Sequence, residues 1–212
     1  MSSKIGLKLT TKYSINFDLP KRSKKMIKFI ILHYTGMKKE SQAIDKLCNS
    51  KSKVSSHYYI KNNGHIICLV PDLYQAWHAG ASKWKNFKSL NRYSIGVEIS
   101  NPGHQYGYKK FSIYQINSLK KLLRFLIKRY KINLNNILGH SDISPDRKKD
   151  PGEKFPWEFL SRNKLCLWHK ISPIKLKKLR RVKLSSQKYE KKFLENLRKI
   201  GIFDKFSKQE KY

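Results

Sequence analysis

The chain has 212 residues, of which 39% are hydrophobic and 12% aromatic, so it can bury a core and is not wholly disordered. Its formal net charge is +33, from 47 Lys and Arg against 14 Asp and Glu, which predicts affinity for polyanions such as nucleic acid, anionic lipid or cell-wall polymer. The excess is mostly Lys and is spread along the whole chain, which favours a Lys-rich background composition, so charge alone assigns no function.

The cysteines and the termini narrow the class of protein. Cys48, Cys68 and Cys166 are odd in number and form no CxxC pair, which argues against a disulfide framework and a Cys-rich zinc site. The longest apolar run, residues 66–70, is too short to span a membrane. The first residues lack the apolar core of a secretion signal, so we expect a cytoplasmic location, with the periplasm or cell envelope as the alternative.

The first half of the chain reads mainly as strands. Residues 27–32 are a nearly continuous run of β-branched and aromatic side chains, which predicts a buried central strand that ends at His33. Residues 40–49 predict a short helix. Residues 57–61 and 65–70 predict a β-hairpin, with Asn63-Gly64 as a two-residue turn.

A long loop and an alternating strand follow. Residues 71–92 predict a loop of a length that is more often functional than idle. Residues 93–99 then alternate, with Ser94, Gly96 and Glu98 on one face and apolar side chains on the other. The small residues beside Glu98 leave room for another group to approach that face.

The second half contains the clearest helix, at residues 112–130, where Ser112 and Gln115 form a capping-box pattern. A short strand near residues 136–139 leads to His140, and Pro156 suits the first position of another short helix. This alternation of strands and helices predicts a mixed α/β fold, with a central mixed β-sheet flanked by helices.

The character of the chain changes near residue 171, since residues 171–212 hold 14 Lys and Arg against 4 Asp and Glu. We therefore expect a basic N-terminal segment (1–26), a main domain (27–170) and a basic C-terminal tail (171–212). In the tail, Ser185-Ser186 and Gly201 can begin and end a helix. Its apolar stripe should pack on the main domain or on a partner, and consists of Tyr189, Phe193, Leu197 and Ile200.

Two histidines stand out among the seven because each follows a predicted strand, where sites are often built: His33 and His140. Asp150 lies in the stretch 142–158, which holds 5 of the 14 acidic residues. Two imidazoles and one carboxylate are a known catalytic zinc set, although spacing alone makes this only a weak proposal. Glu98 could take a proton from a metal-bound water, or it could be an ordinary salt-bridged strand glutamate.

Five segments together carry a resemblance to a known family: FIILHYTGM (29–37), VSSHY (54–58), AWHAG (76–80), SIGVEI (94–99) and GHSDISPDRKKDPG (139–152). They resemble the zinc-dependent N-acetylmuramoyl-L-alanine amidases, a family that also includes peptidoglycan recognition proteins and amidase-type phage lysozymes. The likeness is greatest to the AmpD/AmiD-like branch and covers about residues 14–165. It implies that residues 27–170 form a zinc amidase domain and that the tail is a possible remnant of a peptidoglycan-binding helical module.

The resemblance also implies roles for individual residues. It implies a zinc ion held by His33, His140 and Asp150, Glu98 as the general base on the zinc water, and Lys148 as the cation beside the developing oxyanion. The substrate-binding residues expected from it are Trp77, His78, Asn101 and Arg147. The bond cut would join N-acetylmuramic acid, or its anhydro form, to the L-alanine of the stem peptide, in peptidoglycan turnover or recycling.

One departure and two alternatives qualify this interpretation. The phage and recognition-protein branches carry Tyr where this chain has Ser56, so Glu98 would have to act alone. A non-catalytic module that binds muropeptides is the main alternative. A nucleic-acid-binding protein is supported by charge only, without an RNA-binding aromatic signature or helix-turn-helix pattern. We therefore expect peptidoglycan or muropeptide fragments as partners, no specific nucleic acid, no membrane span and a monomer; the choice between intact sacculus and anhydro-muropeptides stays open.

Overall fold

A computed structural model describes residues 9–179, 181 and 186–201. The strands are β1 (Leu9–Thr11), β2 (Phe17–Asp18), β3 (Phe29–Tyr34), β4 (Tyr58–Ile60), β5 (Ile66–Cys68), β6 (Gln75–Ala76), β7 (Lys83–Trp84), β8 (Phe87–Lys88), β9 (Ser94–Ile99) and β10 (Ile137–Gly139). The α-helices are α1 (Glu40–Cys48), α2 (Ile113–Tyr130), α3 (His140–Ile143), α4 (Trp157–Arg162), α5 (Pro173–Leu179) and α6 (Gln187–Ile200).

A six-stranded sheet in the order β1-β5-β4-β9-β3-β10 forms the centre of the molecule. The hairpin strands β4 and β5 pair antiparallel, and every other neighbouring pair in this sheet is parallel. Two short ribbons, β2-β6 and β7-β8, lie outside it. The predicted mixed α/β fold with a central mixed sheet is confirmed.

Helix α2 covers one face of the sheet. Its N-cap is the predicted capping box, in which the Ser112 Oγ accepts from the Gln115 N–H at 3.1 Å and the Gln115 Oε1 accepts from the Ser112 N–H at 2.9 Å. Its apolar stripe is buried in one cluster with the alternating apolar face of β9. The other face of β9, with Ser94, Gly96 and Glu98, therefore points away from this helix.

The segment 71–92 packs over that opposite face, and it is more structured than predicted. It contributes β6, β7, β8 and a 3-10 turn (Leu90–Tyr93), where we expected a loop. Each of these strands is only two residues long, so no alternating pattern can reveal it. The second core cluster therefore includes three residues of this segment: Ala79, Trp84 and Leu90.

The β4-β5 hairpin is confirmed, but its turn differs from the expected two-residue type. A type I′ turn needs positive φ at both central residues, and of the pair Asn63-Gly64 only Gly64 has it, at +81°. The Gly64 N–H donates to the Lys61 carbonyl at 2.9 Å, which places Asn62 and Asn63 at the centre. A Cβ at position 64 would lie 2.6 Å from the Tyr114 carbonyl oxygen, so glycine is required there.

The two ends of the chain meet the main domain differently. Strand β1 pairs in parallel with β5, so part of the predicted N-terminal segment joins the central sheet. Helix α6 begins after Ser186 and ends at Gly201, as expected; Ser185 lies outside the described residues. Gly201 is packed against Trp84, whereas Tyr189, Phe193 and Ile200 stay exposed. Among the described residues, no helix is both long enough and apolar enough to cross a membrane.

Candidate metal centre and active site

Three buried side chains converge near the carboxyl ends of β3 and β10. His33 lies in β3, which begins and ends two residues later than predicted and so includes this histidine. His140 directly follows β10, the strand that pairs in parallel with β3. Asp150 reaches the same point from the loop after α3. The His33 Nδ1 lies 2.9 Å from the His140 Nδ1 and 2.9 Å from the Asp150 Oδ2, and the His140 Nδ1 lies 3.1 Å from the Asp150 Oδ2.

A hydrogen bond to the backbone determines which nitrogen of His140 faces the triangle formed by His33, His140 and Asp150. The His140 Nε2 lies 3.1 Å from the Ala79 carbonyl oxygen, which can only accept, so in the neutral imidazole Nε2 carries the proton and Nδ1 presents a lone pair. That lone pair faces a carboxylate oxygen and another imidazole nitrogen. A carboxylate oxygen and imidazole nitrogens at these distances are the donors that zinc binds in proteins. The donor set therefore fits the metal that the family resemblance implies.

The ionisation states are consistent with metal ligands. Burial and the nearby His140 lower the pKa of His33 to about 4, so its imidazole is neutral at neutral pH, as a metal ligand must be. Burial raises the pKa of Asp150, but its close contacts with His140 and His33 lower it by more, so the net pKa is below its usual value and the carboxylate stays charged. Burial also lowers the pKa of His78 well below its usual value.

Glu98 lies beside this triangle on β9, where it is the register partner of His33. Its Oε2 is buried and has no hydrogen-bond partner among the described residues. Burial, with the charge of Asp150, raises the pKa of Glu98 to about 8, while Lys148 and Lys46 act in the opposite direction. A carboxyl group with such a pKa can hold and release a proton near neutral pH, which suits a general acid or base.

Two members of the triangle, His140 and Asp150, border an open pocket of about 440 Å³ together with Glu98. Cationic side chains line it from two sides, with Lys46 on α1 and with Arg147, Lys148 and Lys149 on the loop before Asp150. Its wall also includes Trp77, whose indole N–H donates to the Asp18 carboxylate at 2.7 Å. The pocket therefore combines an aromatic wall with positive charge around two acids, Glu98 and Asp150.

Only three of the four predicted substrate-binding residues line the pocket. Trp77, His78 and Arg147 line the pocket, although His78 is buried and Arg147 donates to the Ala81 carbonyl at 2.7 Å. Asn101 is not among the lining residues. Its side-chain amide donates to the Lys109 carbonyl at 2.8 Å, and its Oδ1 accepts from the Gly103 N–H at 3.1 Å, so it braces a loop.

Several pocket residues were not singled out from the sequence. Lys46 lies in the last turn of α1 and reads as an ordinary surface lysine, so no local signal marks it. Tyr34 directly follows His33, and its hydroxyl lies 2.8 Å from the His104 Nδ1. The His104 Nε2 in turn lies 2.9 Å from the Glu153 carboxylate. Ser56 is fully buried and donates to the Tyr58 carbonyl at 2.9 Å, so its hydroxyl proton is used within the fold.

Two imidazoles and a carboxylate next to an acid of raised pKa, at the edge of a mixed sheet, are typical of metal-dependent hydrolases. A family model described as N-acetylmuramoyl-L-alanine amidase matches residues 22–153. The chain belongs to this N-acetylmuramoyl-L-alanine amidase family.

Individual relatives agree with this assignment. The chain is 36% identical over 177 residues to N-acetylmuramoyl-L-alanine amidase AmiD of Escherichia coli, covering 78% of this chain and 61% of AmiD. It is 40% identical over 107 residues to 1,6-anhydro-N-acetylmuramyl-L-alanine amidase AmpD of Haemophilus influenzae, covering 50% of this chain and 56% of AmpD. The chain thus matches less than two thirds of the length of either relative.

A solved structure shares the fold. It is the complex of E. coli AmiD with the substrate anhydro-N-acetylmuramic acid-L-Ala-D-gamma-Glu-L-Lys, with a TM-score of 0.72 and 31% sequence identity, covering 89% of this chain and 76% of that one.

Proposed function

We propose that this chain is a zinc-dependent amidase that hydrolyses the bond between N-acetylmuramic acid, or its anhydro form, and the L-alanine of the stem peptide, in peptidoglycan turnover or recycling. The observation that carries the proposal is the buried triangle of His33, His140 and Asp150, with contacts of 2.9–3.1 Å. Beside it lies Glu98, whose Oε2 has no hydrogen-bond partner among the described residues. The names of the relatives and the ligand bound to E. coli AmiD support the substrate class.

Zinc held by these three ligands would supply Lewis-acid chemistry, which makes a water nucleophilic near neutral pH and polarises the scissile carbonyl. The protein's part is to present the ligands in the form that binds metal. His140 is held with its Nδ1 free by the Ala79 carbonyl, and Asp150 contributes the negative charge. Three protein ligands are the number that catalytic zinc sites typically use.

Glu98 moves the proton in the proposed reaction. Its carboxylate accepts a proton from the attacking water and then delivers it to the amine nitrogen of L-alanine as the amide bond breaks. The buried setting that raises its pKa to about 8 makes the carboxylate a stronger base than an exposed glutamate and its acid form available near neutral pH. One residue can therefore act as base and then as acid.

Lys148 stabilises the charge that develops on the carbonyl oxygen. Its side chain lines the pocket next to Asp150 and acts electrostatically on Glu98, so its ammonium lies near the reacting groups. A fixed cation matters most when negative charge forms in a partly buried site. We further propose that Trp77 and Arg147 form the substrate-binding wall and that Lys46 and Lys149 attract the carboxylates of the stem peptide.

The proposed machinery lies wholly within residues 27–170 of one chain, so we propose that this segment carries the chemistry and that the protein acts as a monomer. The tail after residue 171 would add affinity for anionic wall polymer. The exposed apolar and basic side chains of α6 support a binding role for it.

The deciding experiment incubates the zinc-loaded protein with purified sacculi and, separately, with anhydro-muropeptides, and identifies released products by mass. We expect free stem peptides that begin with L-alanine, and no such release by Glu98→Gln. Binding of muropeptides without release by the wild-type protein would support the non-catalytic alternative. The ratio of product from the two substrates shows which one the enzyme prefers.

A further inference from the structure

We infer that His78 and Ser94 form a hydrogen-bond relay behind His33, which holds this imidazole in the tautomer and orientation that a metal ligand needs. The inference rests on the proposed metal site and assigns His78 and Ser94 as positioning residues. It is read from a chain of contacts that starts at a backbone carbonyl and ends at the metal triangle.

The direction of the relay is set at its far end. The Ser94 Oγ lies 2.6 Å from the Leu90 carbonyl oxygen, which can only accept, so the hydroxyl proton is committed to that bond. The Ser94 Oγ can then only accept from the His78 Nε2, 3.1 Å away. In a neutral imidazole this puts the single N–H of His78 on Nε2 and leaves its Nδ1 as an acceptor.

The tautomer of His78 in turn fixes the tautomer of His33. The His78 Nδ1 lies 3.1 Å from the His33 Nε2. Because the His78 Nδ1 is an acceptor, the His33 Nε2 must donate, and the remaining lone pair of His33 is on Nδ1. That is the atom that faces His140 and Asp150 at 2.9 Å, so the relay presents a lone pair to the metal triangle.

The backbone of β9 is shaped to hold the His78 ring. A Cβ at Gly96 would lie only 2.4 Å from the His78 Cγ, so any larger residue would displace the ring. The His78 ring also meets the His57 ring edge-on at 5.6 Å, and the His57 Nδ1 accepts from the Gly96 N–H at 3.0 Å. The small residues of β9 therefore leave room for His78, the group that approaches this face.

Both histidine ligands thus have their outer nitrogen bound, but by different partners. For His140 the partner is a backbone carbonyl, which no substitution removes. For His33 it is a side chain, which mutagenesis can test. Loss of such an outer partner typically weakens metal affinity by about tenfold to a hundredfold.

The test compares zinc affinity, measured by competition with a chelator, in the full-length protein and four variants. His78→Asn keeps an acceptor near the position of Nδ1, whereas His78→Leu, of similar size, has none. Ser94→Ala removes the acceptor for the His78 N–H. Ser56→Ala is the matched control, because Ser56 is also fully buried and also donates to a backbone carbonyl but lies outside the relay.

We expect zinc affinity to fall by about tenfold to a hundredfold in His78→Leu, to fall less in Ser94→Ala, and to stay near wild type in His78→Asn and Ser56→Ala. Nitrogen-15 spectra of the wild-type protein should show His78 protonated on Nε2 and bare on Nδ1, with and without zinc. A purely structural role for His78 would not predict rescue by Asn.

The inference is overturned if His78→Leu binds zinc as tightly as the wild type, or if the spectra place the His78 proton on Nδ1. If His78→Leu does not fold, Ser94→Ala decides, and unchanged zinc affinity in that variant overturns the relay. Failure of the wild-type protein to bind zinc would instead refute the proposed metal site. The two failures are therefore distinguishable.

Discussion

His33 and Glu98 are register partners on the adjacent parallel strands β3 and β9. Partners in neighbouring strands project from the same face of a sheet, so the proposed metal ligand and the proposed general base are set side by side by backbone hydrogen bonds alone. The site therefore does not depend on a mobile loop to bring these two groups together. Loop residues add Asp150 and Lys148 to a pair that the sheet already holds.

The metal assignment predicts that His33→Ala, His140→Ala and Asp150→Ala each lose stoichiometric zinc and activity. Each change removes one of three ligands, which leaves too few protein donors for a tetrahedral site. Metal content after dialysis and the rate of peptide release are the measurements. His65→Ala, in the β4-β5 hairpin, is the control and should keep both. Full zinc retention by His33→Ala would contradict the assignment.

Glu98→Gln should keep zinc and substrate binding but lower kcat by about 10²–10⁴, the usual scale for loss of a general base. The amide has nearly the same shape as the carboxyl but cannot take up a proton from water. Steady-state kinetics with a small muropeptide, together with zinc content, measure the effect. A change confined to KM would show that Glu98 contributes only to binding.

Lys148→Ala should also act mainly on kcat, because its charge matters most when the carbonyl oxygen becomes negative. Lys149→Ala is a matched control, since Lys149 lines the same pocket and is proposed to meet the stem peptide instead. We expect this control to raise KM more than it lowers kcat. Identical kinetic profiles for the two variants would remove the special role of Lys148.

The raised pKa of Glu98 predicts a pH-dependent stability difference in the metal-free protein. The folded state keeps the proton up to about pH 8, against a reference pKa of 4.5, so the folded state binds more protons than the unfolded state between these values. Stability linked to this group is therefore present at low pH and is lost as pH rises from about 4.5 to about 8. Glu98→Gln has no such loss.

Thermal melts in chelator at pH 5 and pH 8 test this. Glu98→Gln should gain melting temperature relative to the wild type at pH 8, and the gain should be smaller at pH 5. Glu195→Gln, at an exposed position on α6, is the control and should show no pH-dependent difference. A larger gain at pH 5 than at pH 8 would contradict the burial of Glu98.

The domain proposal predicts that a chain ending near residue 170 hydrolyses small muropeptides at close to the full-length rate. It should bind sacculi more weakly at low salt, and the difference should fade as salt rises, because screening weakens the attraction of the basic tail to anionic polymer. Some loss of stability is expected, since Gly201 packs against Trp84.

Two results of the truncation would change the interpretation of the tail. Unchanged binding to sacculi would indicate a remnant without function. A truncated chain that does not fold would show that the contact of Gly201 with Trp84 and the 3.3 Å hydrogen bond from the Lys85 N–H to the Gly201 carbonyl belong to the core.

The sequence alone predicted the elements whose signals are local. The run before His33, the alternation in β9 and the capping box of α2 each lie within a short window, where side-chain periodicity or a cap leads directly to a strand or helix. The same holds for α6 from Ser186 to Gly201. The residues of the metal triangle came from their resemblance to family motifs, because 107 residues separate His33 from His140.

Only the tertiary structure decided how distant residues meet. The parallel order β10-β3-β9 places His140, His33 and Glu98 together, and no local pattern encodes the order of strands in a sheet. The tertiary structure also directs the side chain of Asn101 toward a loop, where it bonds the Lys109 carbonyl. It brings Lys46 to the pocket and packs His78 against Gly96, behind His33. The tautomer of a ligand depends on partners such as Ser94 and Leu90 that lie far from it in sequence, so it follows from packing and not from motif.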